Sequence, residues 1–326
     1  MAYTTINKST SYFNTKLYTG NATQRSISNI GFQPDWVWFK NRSASQPHCL
    51  VDVVRGVNNS LASNTTGAVD TDANDLQAFQ SDGFQIGTNN RVNGNGNSMV
   101  AWCWKESPTA GFDILTFTGN ASGNQTISHN LSAVPKWWNI KRLDQASNWC
   151  TYHVGLGGAD HNVFLNTTSS SQTDTTIWNN TLPTSSVFSV GNNIDANGNG
   201  ASHIWYGWTD KQGFSKFGSY KGNGNADGAF VYTGFRPAWV MIKRTDGTNS
   251  WVIYDNKREG FNVDNDALQA NGNNAEGTSD DLDFLSNGFK MRTSGVGENG
   301  SGNSYIFIAF AESPFVNSNG VPTNAR

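Results

Sequence analysis

The sequence predicts an all-β protein made of three tandem β-sandwich repeats of about 100 residues each. Three observations carry this expectation. The composition is lean in charge (14%) and rich in turn formers and rings, with 34 Gly and 12 Trp, the profile of short strands joined by many turns. The chain repeats itself in order. The repeated segments alternate their side chains with the two-residue period of a strand.

The repeats align from end to end. "YTGN" at Tyr18, "FTGN" at Phe117 and "YKGN" at Tyr220 mark an opening strand, and "PDWVWFK" (Pro34), "PKWWNIK" (Pro135) and "PAWVMIK" (Pro237) mark a tryptophan strand. "HCLVD" (His48), "WCTYH" (Trp149) and "WVIYD" (Trp251) follow, then "DGFQIG" (Asp82), "SVFSVG" (Ser186) and "NGFKMR" (Asn287). Each copy closes with an Asn/Gly loop and an apolar strand: "NGNGNSMVAWCW" (Asn93), "NGNGASHIWYGW" (Asn197) and "NGSGNSYIFIAF" (Asn299). The boundaries read as an N-terminal arm over 1–11, repeats over 12–108, 112–213 and 214–315, and a polar, loose tail over 316–326. The Asn-Gly loops are expected to form tight hairpin turns. "DNDALQA" from Asp264 is the one stretch that reads as a turn or two of helix.

On the tryptophan strand one face is always apolar: Val37/Phe39, Trp138/Ile140 and Val240/Ile242. That face is assigned to the core. The other face reads Trp36-Trp38-Lys40, Trp137-Asn139-Lys141 and Trp239-Met241-Lys243, a fixed ring, a variable middle and a fixed cation. Trp36, Trp137 and Trp239 are therefore expected to be scaffold, buried within their own repeats, with each Lys lying along a ring and its ammonium in water. Trp38, Asn139 and Met241 differ between copies and are the candidate ligand-binding positions. The closing strands are apolar on both faces and are expected to be central and covered.

The net charge of −3 gives no footprint for nucleic acid, and no apolar run suits a bilayer span. The N-terminal stretch lacks the basic and apolar regions of a signal peptide, so synthesis in a cytoplasm is expected and sequons such as that at Asn21 read as turn asparagines. Cys49, Cys103 and Cys150 read as buried free thiols, and the five histidines show no metal-ligand spacing. No nucleophile elbow appears, and "GLGGAD" (Gly155) lacks the setting of a phosphate loop. Acids recur at strand ends, Asp52 and Asp255 with His153 between them in order, and Glu106, Asp210 and Glu312; repetition of that kind reads as a structural device rather than paired catalytic carboxylates. No catalytic residue, metal or cofactor is expected, the acidic clusters at Asp70 and Ser279 being the weak calcium candidates.

Taken together, "FNTKLYTGN", "IGFQPDWVWFKNRS", "NGNGNSMVAWCWKE", "FSKFGSYKGNGNADGAFVYTGFRPAWVMIKR" and "IFIAFAESPF" resemble a family of tailed-phage virion proteins found in marine and cyanobacterial phages. These are described as tail-fibre or lectin-like structural proteins. The resemblance spans nearly the full length and implies a concanavalin A-like or jelly-roll β-sandwich and a place on the virion, among other virion proteins. It offers no catalytic residues to carry over. The expected function is a tail-fibre or receptor-binding component that attaches to host surface glycans; the alternatives are a capsid or tail decoration protein and, third, a glycan-degrading enzyme. A homotrimer is the default assembly, although three repeats in tandem could supply a threefold within one chain.

Overall fold

The computed structural model describes residues 3–258, 262 and 264–323; residues 1–2 of the arm and 324–326 of the tail lie outside them. The protein is all-β, a set of antiparallel sheets packed as sandwiches. In each sequence repeat four strands stand side by side in the order opening, closing, tryptophan, following. They are Phe13–Thr19, Ser98–Trp104, Trp36–Asn41 and Cys49–Asp52 in the first, and Phe112–Thr118, Ser202–Trp208, Trp137–Arg142 and Cys150–His153 in the second. In the third they are Ser215–Lys221, Ser304–Pro314, Phe235–Arg244 and Trp251–Asp255. The register is the same each time: Trp36 faces Trp104 and Asp52, Trp137 faces Trp208 and His153, and Trp239 faces Phe310 and Asp255.

A second, outer layer covers one face of each four-strand set. In the first repeat it is Arg25–Ser28, Gly83–Ile86 and Leu76–Gln80, and in the second Gln125–Ser128 with Val187–Val190. In the third, Phe230–Tyr232, Gly288–Met291 and Gly277–Leu285 form it, and Asp264–Gln269 hydrogen-bonds to both layers and joins them into one eight-stranded sheet. The segment from Asp264 is thus a strand and not the expected helix, because Leu268 lies in the central cluster while its neighbour Ala267 packs against the third repeat's own core, and adjacent residues facing opposite sides is the period of a strand.

Between the layers lies a core private to each repeat. Val37 and Phe39 meet Ile27, Phe84 and Ile86; Trp138 and Ile140 meet Phe188 and Val190; Val240 and Ile242 meet Leu282 and Phe289. The opposite face of the inner layer is just as dry. Trp36, Trp38, Trp102, Trp104, Trp137, Trp208, Trp239, Trp251 and Met241 belong to one cluster drawn from all three repeats. Trp36 stacks or tilts against Trp38, Trp104, Phe112, Tyr206 and Trp208, so rings from two repeats meet on it. Trp36, Trp137 and Trp239 are buried as expected, but in this shared centre rather than within separate domains.

The recurring lysines are the main departure from the sequence expectation. Lys40, Lys141 and Lys243 are fully buried, and no ammonium reaches water. Lys141 Nζ donates to Ser147 O of its own repeat and to Thr66 O of the first. Lys243 Nζ donates to Asn249 O and, in the second repeat, Thr168 O; Lys40 Nζ donates to Gln46 O and, in the third, Asn273 O. Each repeat thus clamps its neighbour at the same backbone position, and the three clamps close a ring. Burial lowers each ammonium to about 8. A parallel set of bonds runs beside the lysines: Trp149 Nε1 to Ala62 O, Trp251 Nε1 to Phe164 O, and His48 Nε2 to Gln269 O. His48 Nδ1 accepts from Trp38 Nε1 at 2.7 Å, which fixes the proton on Nε2.

The Asn/Gly loops also differ from expectation. They are crossovers from outer to inner layer, not hairpins, since the strands they join pair with other strands. Short helices Asn90–Asn93 and Ile194–Asn197 open two of them, and Gly96, Gly200 and Gly302 take the positive φ that the return requires. The tail is held as well: Asn7 Nδ2 donates to Ser318 Oγ and Ser318 N donates to Asn7 Oδ1, tying arm to tail.

Candidate functional site

Trp38, Asn139 and Met241, the positions singled out by their variability, are buried at 0%, 2% and 0% exposure. Trp38 and Met241 lie in the central cluster, and Asn139 Oδ1 accepts from Thr151 Oγ1 at 2.6 Å. None of the three offers a surface to a ligand, because the inner layer is covered on both faces. Their variation is compensated inside the core: a Trp–His pair in one copy, an Asn–Thr pair in the next, apolar contact in the third.

The strand-end acids are structural. Asp52 accepts from Arg55 N and Nε and from Tyr206 OH of the second repeat, and Asp255 accepts from Arg258 N and Nε and from Trp102 Nε1 of the first. Each carboxylate closes its own turn and receives a neighbour's ring. His153 does the same with different chemistry: Nδ1 accepts from Gly155 N, and Nε2 donates to Phe307 O of the third repeat. In the cluster at Asp70, Asp70 and Asp75 hold the Arg91 guanidinium and Asp72 holds Asn74 and Asn89. At the other cluster, the side chains of Ser279 and Asp280 lie outside the described residues. Of the second set of acids, Glu312 pairs with Arg236 at 2.9 Å. Glu106 is pushed up to about 7 by burial and by Asp113 beside it, while Asp210 is exposed. Cys49, Cys103 and Cys150 are buried free thiols, and burial pushes all three up.

The surface feature that differs between repeats lies on the second strand of the third. Val231 pairs with Phe289 as Ile27 pairs with Phe84 and Ile127 with Phe188, so the residues flanking it are equivalent across copies. The first repeat has Ser26 and Ser28 there and the second has Thr126 and Ser128. The third has Phe230 and Tyr232, 48% and 54% exposed. Two adjoining clefts lie beside them. One, of about 260 Å³, runs between Phe230, Tyr232 and the opening strand at Lys216, Gly218 and Tyr220, with Phe307 beneath. The other, of about 300 Å³, is lined by Tyr3, Asp210, Gln212, Lys216, Tyr232 and Thr233.

One substitution shapes the floor of this groove. Gly218 pairs with Phe307 where Lys16 pairs with Ala101 and Leu115 with Trp205. A Cβ at Gly218 would lie 2.8 Å from the Phe307 ring, so the ring occupies the space that a side chain takes elsewhere. The arm supplies the far wall: Tyr3 OH donates to Gly234 O at 2.6 Å, and burial together with Tyr232 pushes its hydroxyl up to about 12. The result is a shallow trough lined by Tyr3, Phe230 and Tyr232 with a carboxylate, an amide and an ammonium along it. Such a surface stacks on an apolar ring face and hydrogen-bonds to hydroxyls around its edge.

None of these residues stands out by type in the sequence, yet a signal exists in the alignment of the repeats: two small hydroxyl residues are replaced by two rings on a strand whose inward residue stays apolar. No helix among the described residues is long and apolar enough to cross a membrane. No curated protein matches the chain. Residues 8–314 match a family model described as a domain of unknown function (DUF7483), and the chain belongs to that family.

Proposed function

We propose that the protein is a virion structural protein that binds carbohydrate through the aromatic trough of its third repeat, and so acts in attachment to host surface glycans. The observation that carries this reading is the pair Phe230 and Tyr232: two rings exposed to solvent, present in one repeat, both lining a cleft with Lys216, and Tyr232 lining the adjoining one with Asp210 and Gln212. Rings of this kind are costly to expose, and the shared fold does not call for them where two other copies use Ser and Thr. The rest of the molecule serves as a rigid mount. Its three repeats are clamped in a ring by buried lysines, so one chain offers a threefold site on a particle a threefold partner.

The test is binding to a panel of surface polysaccharides and their oligosaccharides, followed by titration of any that bind. Phe230→Ala and Tyr232→Ala should each weaken binding about tenfold or more, the loss of roughly 1–2 kcal/mol of stacking, while leaving the melting temperature near that of the parent. Binding that survives the double variant would remove the trough from the proposal. A panel without any binder, together with particles that lose integrity when the protein is deleted, would favour the decoration reading, which the dry shared core and closed ring of clamps also suit.

A further inference from the structure

The trough of the third repeat carries a cation where the other repeats have an amide and a carboxylate. On the opening strand Asn14, Asp113 and Lys216 are equivalent: each pairs with the residue just before the ring that faces the tryptophan strand, Cys103 before Trp104, Gly207 before Trp208 and Ala309 before Phe310. On the second strand Ile27, Ile127 and Val231 are equivalent, and three residues further on lie Ile30, Asn130 and Gly234.

In the first two repeats a side chain joins these positions. Asn14 Nδ2 donates to Ile30 O at 2.8 Å, and Asp113 Oδ2 accepts from Asn130 N at 2.7 Å, so the opening-strand residue is occupied in holding the loop. In the third repeat the arm holds it instead: Tyr3 OH donates to Gly234 O at 2.6 Å. Gly234 has a φ of +82°, and a Cβ there would lie 2.9 Å from the Tyr3 hydroxyl, so the glycine makes the seat. The arm beyond it is anchored, with Ile6 buried in the central cluster and Thr4 against Gly213, whose Cβ would lie 3.0 Å from that of Thr4. Lys216 is thereby released. Its ammonium has no hydrogen-bond or ion-pair partner among the described residues, and the residue lines both clefts.

The two clefts differ in charge. Around the one beside Phe230, Tyr232 and Phe307, Lys216 is the single charged lining residue. The other adds Asp210, which has the Lys211 charge beside it, together with Gln212 and Thr233. A sugar ring bearing an anionic group fits the first, with its apolar face on the rings and the anion at the ammonium, and a neutral neighbour fits the second, with its hydroxyls toward Asp210 and Gln212. We propose that the trough selects acidic saccharides, a ring with a carboxylate or sulfate seated against Lys216, and that Tyr3 of the arm is the positioning residue that leaves Lys216 free. This specificity rests on the carbohydrate reading of the trough and adds to it the charge of the ligand.

The experiment titrates the full chain by calorimetry with matched pairs of saccharides: tetragalacturonic acid against its methyl ester, and a sulfated carrageenan tetrasaccharide against its desulfated form. The pair with the larger preference identifies which anion the site takes. In at least one pair the charged member should bind about fivefold or more tightly than the neutral one, the scale of a charge-assisted bond to a partly exposed group. Lys216→Met should abolish that preference while leaving the affinity of the neutral member and the melting temperature near those of the parent, and Lys216→Arg should retain it. Tyr3→Phe should reduce the preference, since Gly234 O then competes for the ammonium; an unchanged preference would remove the arm from the proposal. Equal affinity within both pairs, or a preference that survives Lys216→Met, would overturn the acidic specificity and leave carbohydrate binding standing. A hexaglutamate peptide that binds as tightly as the acidic saccharides would also overturn it, by making the ligand any polyanion. Undiminished binding of all four saccharides to Phe230→Ala, or binding of none of them to the parent, would instead overturn the carbohydrate reading of the trough and the specificity with it.

Discussion

Trp36 and Trp38 lie two residues apart on one strand and face one core, yet replacing each by Phe should have different consequences. Both are buried, so truncation of either to Ala should cost roughly 3–5 kcal/mol, the range for a deleted core aromatic. Phenylalanine separates them. The indole N–H of Trp36 has no hydrogen-bond partner among the described residues, so Trp36→Phe removes a buried donor that is already a liability while opening a small void. The two effects offset, and a net cost of about 0–1.5 kcal/mol is expected. Trp38 Nε1 instead donates to His48 Nδ1, and His48 Nε2 donates in turn to Gln269 O of the third repeat. Trp38→Phe opens the same void and strands an acceptor in a ring held neutral, since burial lowers the His48 imidazole to about 3. That adds about 1–3 kcal/mol, for a total near 2–4 kcal/mol.

Urea unfolding of both variants measures the difference directly, provided the m-values match the parent. A cycle with His48→Ala isolates the bond, and a coupling above about 0.5 kcal/mol is expected between Trp38→Phe and His48→Ala, with none for Trp36→Phe. Equal cost of the two Phe variants, or a Trp38→Ala variant as stable as the parent, would refute the assignment of Trp38 to the core.

Other expectations follow from the shared centre and its ring of clamps. Because one aromatic cluster draws on all three repeats, calorimetry should show a single transition whose van't Hoff and calorimetric enthalpies agree; three resolved steps would contradict it. Lys141→Met should destabilise by about 1–3 kcal/mol for the Ser147 carbonyl left without its donor, Thr66 O keeping its bond from Ser147 N, partly offset by removing a buried charge; an unchanged urea midpoint would mean the clamp contributes nothing. Glu106 is raised from 4.5 to about 7, so its protonated form favours the folded state: that contribution is full below pH 4.5 and lost as pH rises through 7. The gap in melting temperature between Glu106→Gln and the parent should therefore shift in favour of the variant from pH 5 to pH 8, and a gap independent of pH would remove Glu106 from this role.

Much of the fold is legible because repetition over-determines it. A two-residue period assigns side chains to faces, and three copies show which face never varies: Val37 and Phe39, Trp138 and Ile140, and Val240 and Ile242 do lie between layers. The same reading places Val100, Trp102 and Trp104 in a strand covered on both sides, where the structure has them. It fails on the face carrying Lys40, Lys141 and Lys243. A period of two separates faces but does not say which of them meets water, and a lysine at a strand end is ordinarily a sign of solvent. Here the repeats bury one another, and the ammonium finds carbonyls six residues downstream and in the adjoining repeat. The partner carbonyls, Thr66, Thr168 and Asn273, carry no side-chain signature, since any residue supplies a backbone oxygen.

The same limit explains why variation along the tryptophan strand misleads. At Trp38, Asn139 and Met241 the copies differ because each fills its portion of a closed core with a different local solution, and burial relaxes the identity of a residue as long as volume and hydrogen bonds are met. At Phe230 and Tyr232 no such compensation is required, since Ser26, Ser28, Thr126 and Ser128 serve the same strand position without rings. Gain of exposed apolar area in one copy of a repeat thus says more than variation alone. It coincides here with a loss that sequence also records, Gly218 in place of Lys16 and Leu115, which lets the Phe307 ring fill that space and floor the trough. Two independent changes, one adding rings and one removing a side chain, converge on a single trough, and convergence of that kind separates a built surface from drift among copies.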